Sequence, residues 1–431
     1  MRTDELVIFR DLKYRDLAKK LEKADDMPAD ADRNELKKLV SGIAADIIGI
    51  AEMYGFSENL WQKTVALMLA DNENVYSKAL EINGNAGGSL DRIVLKDMSV
   101  LRELFFYDLN RLDEKAGTGI MSLITDYSGN PGKDPEKGSV DKRTQRMISD
   151  LSDRLAAAKD EQGFMDELAD FYKSFGVGKF GLNRAFRVLH DKDDRVCIVP
   201  IPNPMPVELD DLVGYEAAKQ KLIDNTEAFV LGKRANNCLL FGPSGTGKSS
   251  SVKGLLNRYY DRGLRIIELY KHQFKDLNEI TAQIKGRNYR FIIYMDDLSF
   301  EDHETEYKYL KAVIEGGIEK RPDNVLIYAT SNRRHLIREA FSDRNDRDDE
   351  LHISDTMQEK LSLSTRFGVT VYFGSPDKKE FNNIVRELAK RSGIKMPEEE
   401  LLAEANKWEL SHGGLSGRTA QNFIDYLAGR G

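Results

Sequence analysis

Apolar positions in the first part of the chain recur at the spacing of one helix face. Leu6, Phe9, Leu12, Leu17 and Leu21 form one such series, and Leu36, Leu39, Val40, Ile43 and Ile47 form another. The pattern returns from Ile93 to Leu112 through Met98, Leu101, Phe105 and Leu109. These stripes predict a helical N-terminal region over residues 1–127 whose apolar faces pack into a core. Ser128 to Gly138 mixes glycine, proline and charge and reads as an exposed loop. Further helical patterns lie near 140–158 and 163–175, and Arg195–Ile201 reads as extended. Prolines at 200, 202, 204 and 206 fix φ and remove backbone donors, so residues 128–206 are expected to end in a stiff connector at the main domain boundary.

Beyond that connector the pattern alternates between short apolar runs and helical stretches. Asn237–Phe241, Arg265–Leu269, Phe291–Met295, Val325–Ala329 and Val369–Phe373 are runs suited to strands buried on both faces of a parallel sheet. Tyr307, Leu310, Val313 and Ile314 mark an intervening helix ahead of Gly316-Gly317. The expected fold class is α/β: a parallel-sheet core over residues 207–375, followed by a helical appendage over 376–431. No repeat of 20–50 residues is evident, which argues against a solenoid.

Composition narrows the classes further. Of 431 residues, 41% are hydrophobic and 32% charged, as in globular proteins. No apolar run approaches the roughly 20 residues that span a bilayer. The opening Met-Arg-Thr-Asp-Glu-Leu lacks the apolar core of a secretory signal, so a cytoplasmic protein without membrane contact is expected. A net charge of −8 disfavours a surface that grips nucleic acid, while leaving room for a local basic groove. Cys197 and Cys238 are too few for a disulfide framework or a cysteine zinc site, and the six histidines show no metal-ligand spacing.

Chemistry concentrates in the α/β part. Gly242-Pro243-Ser244-Gly245-Thr246-Gly247-Lys248-Ser249 follows an apolar run and precedes a helical one, matching G-x-x-x-x-G-K-[ST]. Its glycines let backbone N–H groups turn around phosphates, and the helix that follows, with Ser250 in its first turn, adds its dipole. Lys248 would reach the β- and γ-phosphates, and the Ser249 hydroxyl would ligate Mg²⁺. Phe291–Met295 ends in Asp296-Asp297. A carboxylate at the C-terminal end of a strand lies where ligands bind in open α/β sheets. Asp296 is the candidate for orienting the magnesium and Asp297 for polarising an attacking water. No Asn-Lys-x-Asp guanine-reading segment follows, which favours ATP.

Three further segments resemble motifs of AAA+ ATPases, in that family's order. Val325-Leu-Ile-Tyr-Ala-Thr-Ser-Asn332 resembles sensor 1, Leu361-Ser-Leu-Ser-Thr-Arg366-Phe-Gly the arginine-finger box, and Gly414-Leu-Ser-Gly-Arg418-Thr-Ala sensor 2. The resemblance runs from about residue 207 to the end. Within it, Asp-Asp-Leu-Ser-Phe (296–300), Ala-Thr-Ser-Asn-Arg-Arg-His (329–335) and Glu-Lys-Leu-Ser-Leu-Ser (359–364) are similar to a little-characterised bacterial group with an AAA+-type phosphate loop. It implies a P-loop NTPase core with a C-terminal helical lid. Asn332 would bond the γ-phosphate or attacking water, Arg418 would report γ-phosphate to the lid, and Arg366 would act on a neighbouring subunit's nucleotide in a homo-oligomer.

One departure stands out. The family usually has glutamate where this chain has Asp297, so turnover is expected to be slow or switch-like; Glu301 is a candidate to compensate. Tyr270-Lys-His-Gln-Phe274 follows the second strand, where threading relatives carry an aromatic pore loop, but its glycine is missing, which favours packing or a partner contact. Ser342–Glu350 is a mixed charge run expected to be a solvated loop. The expected function is an ATPase that couples hydrolysis to conformational change, with a protein partner bound through residues 1–200. The alternatives are a nucleotide-switched adaptor with little turnover and a DNA-associated loader.

Overall fold

The computed structural model describes residues 2–28, 32–129, 142–202, 204–300, 304, 306–315, 322–334, 336 and 363–430. Glu301, the Ser342–Glu350 charge run, Gly316-Gly317, positions 130–138 of the glycine- and proline-rich loop, and 361–362 of the finger box lie outside them. The chain divides into two compact units, residues 1–183 and 184–431.

The first unit is helical: α1 (Arg15–Asp26), α2 (Arg33–Tyr54), α3 (Leu60–Ala70), α4 (Val75–Asn83), α5 (Gly88–Phe105), α6 (Asn110–Ala116), α7 (Met121–Thr125), α8 (Lys142–Ala157), α9 (Glu161–Phe175) and α10 (Gly178–Leu182). Local chemistry sets several ends. Asp32 caps α2, which Gly55 closes in the left-handed region at φ 70°, and Asn74 forms a reciprocal capping box with Ser77 on α4. Every α3 residue except Gln62 is buried, so this helix is apolar on nearly all sides and runs through the core. The Trp61 indole N–H donates to the Leu104 carbonyl at 2.8 Å there.

Two helical expectations need correction. Leu6, Phe9 and Leu12 are buried, yet α1 begins only at Arg15, and the preceding residues hold one short 3₁₀ turn, Thr3–Glu5. The cause is Asp97 on α5, whose carboxylate, 2% exposed, accepts the backbone N–H groups of Val7, Ile8 and Phe9 at 3.0, 2.8 and 3.0 Å. Those donors are spent on a residue some ninety positions away, not on a helix ladder. Asp97→Ala should therefore strand three donors and destabilise the chain by about 3 kcal/mol, with Asp97→Asn costing less because its amide oxygen still accepts. Urea unfolding of the two variants checks this; equal midpoints for alanine and wild type would reject it. The second correction is that the Ile93–Leu112 pattern is two helices, interrupted after Phe105, with the Asp108 side chain accepting the Asn110 N–H at the new start.

The second unit is a seven-stranded sheet built from β1 (Ala185–His190), β2 (Val196–Pro200), β3 (Cys238–Phe241), β4 (Leu264–Glu268), β5 (Arg290–Met295), β6 (Val325–Ser331) and β7 (Val369–Tyr372). Spatial order is β2-β1-β4-β5-β6-β3-β7, with β1 and β2 antiparallel and the other pairs parallel. The five apolar runs are strands as expected, and β6 is buried along its whole length. Helices α11 (Glu216–Val230), α12 (Lys248–Tyr259), α13 (Leu277–Ile284) and α14 (Tyr307–Glu315) connect them. A lid of α15 (Lys378–Arg391), α16 (Glu398–Ser411) and α17 (Gly417–Ala428) follows, with its own core around Phe381, Val385, Leu401, Phe423 and Ile424.

The division between units falls before β1, not at the proline run. Extended chain was expected at Arg195–Ile201, but as part of the N-terminal side. Instead β1 pairs with β4, Phe186 opposite Ile267, and carries β2 into the same sheet. Among the described residues no helix is long and apolar enough to cross a membrane.

Candidate functional site

The loop between β3 and α12 has a shape that only glycine permits at two positions. At Gly242, φ is 144° and an added Cβ would lie 1.9 Å from the Phe373 carbonyl oxygen. At Gly247, φ is 89° and a Cβ would meet Leu212 Cδ1 at 2.2 Å. Helix α12 starts at Lys248, so its first N–H groups face the loop. The Lys248 amine donates to the carbonyls of Gly242 and Pro243, both at 2.7 Å, and to Asn332 Oδ1 at 3.1 Å. Burial pushes its pKa down, against the pull of Asp297 and Asp296.

Parallel pairing of β5 and β6 sets Met295 opposite Ala329, so the acids that end β5 meet the polar end of β6. Ser249 Oγ and Thr330 Oγ1 both donate to Asp296 Oδ1, at 2.7 and 2.6 Å. Burial alone would raise the Asp296 pKa, but hydrogen bonds from Thr330, Ser249 and Tyr294 outweigh it and hold the carboxyl below its usual range. Asp297 then enters the left-handed region, at φ 50°, which aspartate tolerates better than most residues. Its N–H donates to Thr330 Oγ1 at 2.9 Å, and its Oδ1 accepts from Asn332 Nδ2 at 2.7 Å. The two adjacent carboxylates thus go to different partners: Asp296 to the Ser249 hydroxyl, Asp297 through Asn332 towards Lys248. Hydroxyl and carboxylate oxygens 2.7 Å apart form a donor set that suits a hard cation such as Mg²⁺.

The lid closes the other side. Ser416 caps α17, accepting the Thr419 N–H at 3.1 Å, and the Arg418 N–H donates to the Gly245 carbonyl at 3.2 Å. The Arg418 guanidinium stands 3.4 Å from Ser244 Oγ. Between loop and lid is a cavity of about 540 Å³, lined by residues 244–250, Asp296, Asp297, Thr330, Asn332 and Arg418. An apolar wall is made by Val207, Leu212, Val213, Tyr215, Ile384 and Leu388, and Asp211, Gly417, Gln421 and Asn422 complete the lining. The sequence reading missed this wall; the only local signal was the acidic-apolar-glycine stretch Leu209–Tyr215 just before α11.

Arg366 is placed elsewhere. It is half-buried and precedes the first residue of β7, whereas the phosphate loop follows the last residue of β3. Cys238 pairs in parallel with Val369, so the two features sit at opposite ends of a strand pair about 13 Å long. Arg366 is not among the residues lining the cavity. In the Tyr270–Phe274 segment, Phe274 is buried and Tyr270 is exposed and stacked on His272; His272 and Phe274 both lie within the 3₁₀ turn Lys271–Asp276 that leads into α13. Among the described residues no group of three or more histidine, cysteine or acidic side chains forms a metal cluster.

The model of a family described as "Protein of unknown function (DUF815)" matches residues 182–431, more than half of the chain, beginning just before β1. The chain is 34% identical over 81 residues to the replication factor C large subunit of Staphylothermus marinus, covering 19% of this chain and 18% of that protein. It is 31% identical over 147 residues to an AAA-ATPase of Arabidopsis thaliana, covering 32% of this chain and 28% of that protein. The chain therefore spans less than a third of the curated relatives it matches. Among solved structures, the Thermotoga maritima RuvB Holliday junction branch migration motor is 16% identical at a TM-score of 0.35, over 51% of this chain and 63% of that one. The AAA domain of FIGL-1 in complex with ADP is 16% identical at a TM-score of 0.36, over 52% and 73%.

Proposed function

The chain belongs to the DUF815 family, within the AAA+ ATPases, and from that premise we propose that it binds ATP with Mg²⁺ and hydrolyses it to ADP and phosphate. The observation that carries this reading is the division of labour between Asp296 and Asp297. Ser249 and Asp296 would hold the cation, which would supply positive charge to offset that of the phosphates. The Gly242–Ser250 backbone and the start of α12 cradle the phosphates, and Lys248 exchanges its bonds to the Gly242 and Pro243 carbonyls for phosphate oxygens. Asp297 and Asn332, already hydrogen-bonded to each other, would orient the attacking water in line with the leaving group. Arg418 brings positive charge from the lid to the same phosphates, and the apolar wall receives the base.

The output is conformational change of the lid and of an assembly completed by Arg366 of a neighbouring subunit. The helical unit, within the 1–200 region, is proposed to engage a protein partner. Binding to nucleic acid is not part of the reading, given the acidic net charge.

A second reading, a nucleotide-held switch with little turnover, is favoured by one feature. The Asp297 side chain is shorter than glutamate by about 1.5 Å and already engaged by Asn332, and displacement by about 1 Å can cost on the order of 100-fold in rate. Substitution at this position separates the readings. Asp297→Asn should keep ATP·Mg²⁺ binding and lose turnover, and Asp297→Glu should raise it. Phosphate release by Asp297→Asn at the wild-type rate would remove Asp297 from the reaction and leave the switch.

A further inference from the structure

We propose that Arg391 is a positioning residue that latches the lid over the base end of the nucleotide cavity; this rests on the ATP reading above. Arg391 is the last residue of α15, seven positions after Ile384 and three after Leu388. Those spacings put all three on one helix face. Ile384, Leu388 and Asp211 line the cavity, the first two on its apolar wall, while Arg391 is not itself among the lining residues. Its guanidinium donates to two successive backbone carbonyls, Asp210 and Asp211, both at 2.9 Å.

The acceptors explain why arginine suits the position. Leu209–Asp211 is a 3₁₀ turn, and carbonyls at a helical C-terminus carry partial negative charge that faces outward. The next carbonyl in line, Leu212, accepts the Lys219 amine from α11 at 2.8 Å. Three consecutive carbonyls are thus taken by two cations, one from the core and one from the lid. The segment they hold continues into Leu212, Val213 and Tyr215, which form the core half of the apolar wall. The planar fork meets the two carbonyls with separate nitrogens, Nη1 on Asp211 and Nη2 on Asp210, in a rigid spacing that an ammonium would have to meet from one point. The ion pair with the Asp211 carboxylate, at 3.5 Å between exposed groups, adds little.

The latch therefore fixes the distance between the two halves of the base wall, while the phosphate loop is positioned by glycines and by α12. Weakening it should loosen the hold on the base and leave the hold on the phosphates unchanged. The test measures binding of a fluorescent ATP analogue and of tripolyphosphate to the full chain, for wild type, Lys248→Ala, Arg391→Met and Arg391→Lys. Arg391→Met keeps the stem and removes the donors. It is expected to weaken the ATP analogue about tenfold, chiefly through faster dissociation, with tripolyphosphate affinity unchanged and Arg391→Lys falling between methionine and wild type. Equal affinity of Arg391→Met and wild type for the ATP analogue would overturn the latch while leaving the ATP reading intact. Parallel losses for the analogue and tripolyphosphate would also overturn it, as a general loosening of the unit. Failure of wild type to bind the analogue would overturn the ATP reading and the latch with it.

Discussion

Lys248→Ala is expected to lower the affinity for ATP by about a hundredfold or more. Lys248 is 7% exposed, and its amine is held between the loop carbonyls and Asn332, within reach of anything the glycines cradle. Arg418 reaches the loop from the lid side, at Ser244, and so does not take the position of this amine. Titration of a fluorescent ATP analogue checks the expectation, and unchanged affinity in the variant would reject the loop as the phosphate site.

Arg366→Ala is expected to bind ATP almost normally and to lose turnover by about 10³-fold or more, the scale of an arginine supplied across an interface. The asymmetry follows from its placement. An arginine at the opening end of β7 does not share the closing end of β3 with the phosphate loop, so its own cavity forms without it. Turnover per subunit should then rise with protein concentration. A mixture of Arg366→Ala and Lys248→Ala should regain activity, one supplying an intact loop and the other an intact finger. Flat specific activity across dilutions that sizing shows to dissociate the assembly would reject the role in trans.

What could be read from the chain was what adjacent residues decide. The five apolar strands were legible because parallel strands buried on both faces give continuous apolar runs, and the phosphate loop because its backbone demands glycines at fixed spacing. What escaped depends on partners far off along the chain. Leu6, Phe9 and Leu12 keep helical spacing, yet Asp97 takes the N–H groups a helix would use. β1 alternates buried and exposed positions with a charged residue inside it, and only its pairing with β4 makes it a strand of this sheet. The apolar wall joins Leu212 to Leu388, positions that no local pattern relates. The left-handed backbone at Asp297 was equally invisible, since Asp-Asp at a strand end does not reveal which acid turns away.

The place of β1 and β2 in the sheet has a consequence for how the nucleotide unit can exist apart from the helical one. Cutting the chain at the proline run, where its sequence seems to divide, would strip both strands and leave the N–H and C=O groups of Leu264–Glu268 facing water along one side of β4. An unprotected strand of that kind, buried over four of its five residues in the intact sheet, is a template on which another chain can add, so such a fragment would polymerise or precipitate. A fragment that starts at Arg184 keeps its own margin sealed by the β1–β2 hairpin, whose outermost strand ends in a proline that offers no donor to a newcomer. The hairpin is therefore the guard on this margin of the sheet, and it travels with the nucleotide unit and not with the helical one.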